Sequence, residues 1–194
     1  IFKDRFEMTP KEWKNGGYKE YSQKILQQSQ RASQSKADFK DIVPTIVKMP
    51  AIESYYIRNK GYNINIKETW QKLQTWILTN DIISYKRIAL FHDNPTITPL
   101  NECQYIGCVM VEDNQEVKSD RLPKFKIAEG VYAKFDLKGK TGDVLPFIHW
   151  VYHEWLPKSE YETTTKPSYA IYNKIDFLDE SNEFDLSFYV SINF

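Results

Sequence analysis

The last stretch of the chain alternates without a break. Phe184, Leu186, Phe188, Val190 and Ile192 are apolar, and Asp185, Ser187, Tyr189 and Ser191 stand between them. A period of two marks a strand with one face on a core, so residues 184–192 are predicted to be a strand with the first set inward. Strands are also predicted over 87–91, 103–112 and 168–174. A strand-like run from Thr45 to Arg58 is interrupted by Pro50, and another runs from about Phe125 to Leu137, with Phe125, Ile127, Val131, Ala133, Phe135 and Leu137 on one parity. Two segments switch to helical spacing. Ile66, Trp70, Leu73 and Ile77 follow Asn65, read as an N-cap with Glu68 at the third position. Val144, Phe147, Ile148, Val151 and Trp155 follow the turn residues Gly139, Thr141 and Gly142, and Pro157 stops their helix.

From Asp41 onward the order is therefore strand–helix–strand–strand, twice. The expected fold is α+β: duplicated units forming a pseudo-twofold antiparallel sheet with two helices on one face. Where the halves meet, a cleft able to hold a small ligand is the expected by-product.

The first fifteen residues do not belong to that pattern. Phe2 and Phe6 stand one helical turn apart, and Thr9-Pro10-Lys11-Glu12 reads as a capping box with proline at the first helical position. A short helix containing Trp13 would end at Asn15-Gly16-Gly17. Such elements cannot bury three large aromatics between them, so these pack on the main domain or on a segment upstream. Residues 16–41, rich in Gln, Ser and Lys, read as a linker, helical in part. The domain plan is thus 1–15, 16–41 and 42–194.

Charge narrows the function. Lys+Arg and Asp+Glu are equal at 26 each, giving no net charge, whereas a chain that grips DNA carries a basic excess for phosphate contacts. Cys103 and Cys108 have an odd spacing on one predicted strand and face opposite ways, which argues for two buried free thiols over a bridge or a shared metal. No apolar run approaches the roughly 20 residues of a membrane helix, and the start lacks a signal-peptide core. A cytoplasmic protein is expected.

Several segments, in order, resemble the gyrase-inhibitor-like (GyrI-like) effector-binding domains over about residues 42–194. These are Met49-Pro50-Ala51 with Tyr56 through Tyr62; Trp70 and Trp76; His92-Asp93-Asn94-Pro95, Thr98-Pro99 and Cys103-Gln104-Tyr105; Trp155 through Tyr161; and Pro167 through Tyr172. Phe2 through Trp13 looks like the tail of an AraC-type helix-turn-helix domain. Together they imply a bacterial transcription regulator whose DNA reader lies upstream and whose DNA contacts are made only there. The family often carries a pocket glutamate two residues before the tyrosine matched by Tyr172; here that position is Ala170. A desolvated cation needs a buried counter-charge, so the resemblance implies a neutral hydrophobic or aromatic ligand in preference to a cation.

The ligand-binding candidates are Tyr56, Phe91, Tyr105, His149, Tyr152, Trp155, Tyr169 and Tyr172, since flat rings with polar edges suit stacking and a few hydrogen bonds. Ordinary core is the competing reading for each. His149 and His153 lie one turn apart, but no third ligand stands at a recognised spacing, so no metal and no cofactor are expected. Nucleophile motifs, phosphate loops and zinc signatures are missing from the sequence, and no enzyme is expected. Two alternatives remain: a small-molecule hydrolase using the same cleft, and a gyrase-inhibitor-type protein-interaction module. Only the regulator explains the capped helix and loose aromatics of the first fifteen residues.

Overall fold

The computed structural model describes residues 1–194 apart from Asn63, Ile64, Asp113, Asn114, Asp120, Asp179 and the side chain of Phe177. Its sheet contains β1 (Thr45–Met49), β2 (Ile52–Lys60), β3 (Tyr85–Phe91), β4 (Gln104–Val111), β5 (Lys124–Ile127), β6 (Gly130–Lys140), β7 (Glu162–Thr163), β8 (Ser168–Lys174) and β9 (Glu183–Asn193). The order across it is β1-β6-β9-β8-β3-β4-β2-β5, with β7 added to β9, and the pairings are antiparallel. The two halves are β2-β4-β3 and β8-β9-β6, mirror sequences of one another about the β3–β8 seam. Ala89 pairs with Ala170 at the middle of that seam.

The two broken runs explain the curl of the sheet. Thr45 to Arg58 is not one strand: β1 pairs with β6 of the second half, while β2 joins β4 and β5 of the first. Only Pro50 and Ala51 separate them, and three residue steps span at most about 11 Å. The run beginning at Phe125 splits in the same way. β5 goes to the first half and β6 to the second, with Ala128 and Glu129 between. Each repeat lends its first short strand to the other, and these links draw the two edges of the sheet together. Inside the resulting half-barrel pack Ile88, Leu90, Ile106, Cys108, Ile127, Tyr132, Tyr169 and Tyr189. The outward set of β9 is therefore not solvated: Tyr189 and Ser191 are buried too.

The helices cover the other face. α5 (Ile66–Thr79) buries Trp70, Leu73, Trp76 and Ile77, and it lies so close to β4 that a Cβ on Gly107 would fall 2.9 Å from the Leu73 side chain. Asn65 does not cap α5 through its side chain. It sits in the left-handed region at φ 61 with no cap hydrogen bond, whereas a capping side chain needs an extended backbone to reach the N2 or N3 amide. α6 (Val144–Trp150) continues through a widened turn to Trp155 and a short 3₁₀ turn that contains Pro157. Its Phe147, Ile148 and Val151 pack with Phe135 and Phe188 of the sheet. Cys103 belongs to this helix-side core and Cys108 to the barrel interior. Burial pushes both thiols up to about 12.

The N-terminal arm is helical and docked. It holds α1 (Phe2–Phe6), α2 (Pro10–Glu12), α3 (Tyr18–Leu26) and α4 (Gln30–Ser33). Thr9 and Glu12 form the expected capping box. Phe2, Phe6 and Trp13 pack on one another, and Phe6 and Trp13 on Tyr21 of α3. Ser22, Ile25, Leu26, Ala32 and Phe39 are buried; Phe39 lies edge-on to Phe147 at 5.4 Å.

Candidate functional site

A cavity of about 530 Å³ opens between the starts of α5 and α6, the sheet, and the N-terminal arm. Its floor is aromatic. Phe91 and Tyr172 each stand two residues beyond the central alanine of their strand, Ala89 and Ala170, and so occupy matching places in the two repeats. Tyr105 reaches in from β4 and Tyr62 from the end of β2, with Tyr62, Phe91 and Tyr105 all mutually edge-on at 5.5–5.9 Å. Edge-to-face rings at these distances attract beyond their buried area, so the floor is a fixed surface.

Hydrogen bonds hold two of the floor's hydroxyls, and the walls add polar side chains that include Arg31, Lys67 and Asp176. Trp70 Nε1 donates to the Tyr105 hydroxyl at 2.9 Å, and the Tyr62 hydroxyl donates to the Asp93 carbonyl at 2.9 Å. Burial first, and the nearby Asp176 carboxylate second, hold the Tyr172 phenol above its ordinary value. Burial does the same for Tyr62 and Tyr105. All three phenols thus stay protonated at neutral pH. Asp176, buried in the turn after β8, lines the cavity and accepts a 2.6 Å hydrogen bond from the Thr141 hydroxyl.

Of the eight candidates, Phe91, Tyr105 and Tyr172 line this cavity. Tyr56 and Tyr169 point into the barrel on the opposite side of the sheet. Tyr56 packs edge-on to Phe125, and Tyr169 stacks on Tyr189 at 4.7 Å. Trp155 sits edge-on to Phe135 at 4.9 Å, and Tyr152 packs against the helix-side core. His149 faces the arm. Its Nδ1 is 2.7 Å from Ser22 Oγ, and His153 Nε2 is 2.7 Å from that same oxygen. The two imidazoles, one turn apart, thus flank a serine of α3. Among the described residues no group of three His, Cys, Asp or Glu is placed to hold a metal.

Tyr62, Asp176 and residues 28–32 of the arm line the cavity but escaped the sequence reading. Ala170 is fully buried and is not part of the lining, whereas Asp176 is. A carboxylate does face the cavity, from the turn rather than the strand.

Residues 43–192 match the family described as GyrI-like small molecule binding domain. A DNA gyrase inhibitor of Citrobacter koseri is 23% identical over 129 residues, 66% of this chain and 82% of that protein. Among solved structures, the C-terminal domain of EcmrR superposes with a TM-score of 0.59 at 14% identity, covering 79% of this chain and 98% of that one. EcmrR in its DNA complex gives 0.62 at 14%, covering 94% and 68%. A hydrolase from Listeria innocua gives 0.56 at 10%, covering 80% and 95%. At such identities the structures establish a shared fold.

Proposed function

The chain belongs to the family of GyrI-like small molecule binding domains, and on that premise we propose that it is the ligand-sensing part of a transcription regulator, taking a small aromatic molecule into the cavity above Phe91, Tyr105 and Tyr172. The observation that carries this reading is the cavity itself. Its volume falls within the roughly 300–1,000 Å³ of small-molecule sites, its floor is rings with protonated phenols, and among the described lining residues the buried carboxylate is Asp176. Rings stack on a planar ligand, phenols orient it, and Asp176 offers a partner to a donor or a cationic centre on it.

The regulator half of the proposal draws on the neutral charge, the segment Phe2 through Trp13 that resembles the tail of an AraC-type reader, and EcmrR. The match to EcmrR bound to DNA extends over more of this chain than the match to its C-terminal domain alone. In this reading a reader upstream makes the DNA contacts, and ligand alters how it engages its site through differential affinity for two arrangements. Hydrolysis in the cavity has less support: among the described lining residues there is no histidine to activate a nucleophile.

Titration with N-phenyl-1-naphthylamine, a neutral aromatic dye whose fluorescence rises in apolar surroundings, tests the site. Phe91→Ala and Tyr172→Ala should each raise its Kd about tenfold, the worth of one good ring contact. Dye binding indifferent to both substitutions refutes the assignment.

A further inference from the structure

We infer that residues 28–32, which the sequence presents as linker, are a wall of the ligand site, so that ligand occupancy and docking of the N-terminal arm form one equilibrium. The inference rests on the cavity being the ligand site, and it names what responds when that site fills.

The turn from α3 into α4, Gln28 to Ala32, closes one side of the cavity. The adjoining wall is the turn that leads into α6, with Thr141, Gly142 and Val144. The same turn also latches the arm. Ser35 Oγ donates to Asp143 Oδ1 at 2.7 Å. Gly142, at φ +108, lies so close under the arm that a Cβ there would sit 2.8 Å from the Arg31 carbonyl oxygen. On the far side, the Leu100 amide donates to the Gln28 side chain at 2.9 Å.

Neither α3, of nine residues, nor α4, of four, is long enough to hold its shape unaided. Their conformation comes from contacts with α6 and its leading turn, through Ile25, Ala32 and the Ser22 hydroxyl set between His149 and His153. Release of the arm would remove a wall and admit water to one side of any bound molecule. A ligand sized for the closed cavity therefore binds the docked state more tightly and, by linkage, stabilises docking. Because Phe6 and Trp13 pack on Tyr21 of α3, α1 and α2 move with it.

Hydrogen exchange on the 194-residue chain, with and without N-phenyl-1-naphthylamine, reads this directly. Amides of residues 22–33 should slow in proportion to 1 + [dye]/Kd, approaching about 100-fold at a dye concentration of 100 Kd. Ile25→Asp, which buries a charge under α3 away from the cavity lining, should undock the arm and raise the dye's Kd about tenfold or more, since only the docked fraction binds. Phe91→Ala should weaken binding with the arm still docked. Dye binding that depends on Phe91 but leaves exchange of residues 22–33 unchanged overturns the inference and spares the site. Dye binding that ignores Phe91, or no dye binding at all, overturns the site and the inference together. Should Ile25→Asp fail to fold, the exchange measurement decides alone.

Discussion

Acid should loosen this protein as pH falls below 6.5, and His149 is the cause. Its ring is 8% exposed, with Nδ1 held 2.7 Å from Ser22 Oγ. Burial first and the charge of His153 second bring its pKa from 6.5 to about 4, against an opposing contribution from the Pro95 backbone. In the unfolded chain the ring returns to about 6.5. Between those values the unfolded state binds a proton that the folded state refuses. The stability His149 confers is thus complete above pH 6.5 and falls away as pH drops toward 4. The whole difference is worth about 3 kcal/mol, and about 2 kcal/mol of it is gone by pH 5. His153 acts in the same direction, its pKa lowered by burial and then by Lys19, with Glu154 opposing. Asp136 and Asp185, whose pKa values are lowered from 3.8, remain ionised at pH 5 and stay out of this window. Urea unfolding at pH 7.5 and pH 5.0 should show the wild-type chain losing about 2 kcal/mol more than His149→Gln, which keeps polar atoms but cannot take the proton. A His149 ring that titrates near 6.5 by NMR, or a variant with an undiminished pH dependence, refutes the argument.

Trp155→Ala should cost about 3–5 kcal/mol if its packing on Phe135 is core packing, while leaving the Kd for N-phenyl-1-naphthylamine unchanged. A loss of dye affinity with stability intact would return Trp155 to the ligand site. Asp176→Asn should weaken binding of tetraphenylphosphonium about tenfold relative to the neutral dye, because a desolvated cation needs the carboxylate. Equal effects on both probes, read by calorimetry, would mean that Asp176 serves the turn through Thr141 and not the ligand.

Most strands could be read from the sequence because period two is local. Glu183–Asn193 carries Phe184, Leu186, Phe188, Val190 and Ile192 on one parity, and burial of that set fixes the register. What period two cannot convey is which half a strand joins. β1 and β2 are separated by a single visible interruption, Pro50, yet β1 forms one edge of the sheet and β2 lies one strand in from the opposite edge. That exchange depends on the edges being drawn together, a property of the whole sheet.

The site was harder to read for related reasons. Tyr169 and Tyr172 differ in parity and must point to opposite faces of β8, but a strand buried on both faces offers no polar residue to mark the side with the cavity. Both tyrosines are buried, and only one is in the lining. Asp176 follows β8 in a turn near further acidic residues, where a carboxylate looks solvated; the folded turn instead aims it beside Thr141. The arm misleads in a third way. Gln and Ser dominate its surface, and the few residues that dock it, Ser22, Ile25, Leu26 and Ala32, are too sparse to form a stripe that stands out. Short helices with one or two buried contacts per turn draw their order from the surface beneath them. Here that surface is α6 and the turn that leads into it, which is also where the cavity ends.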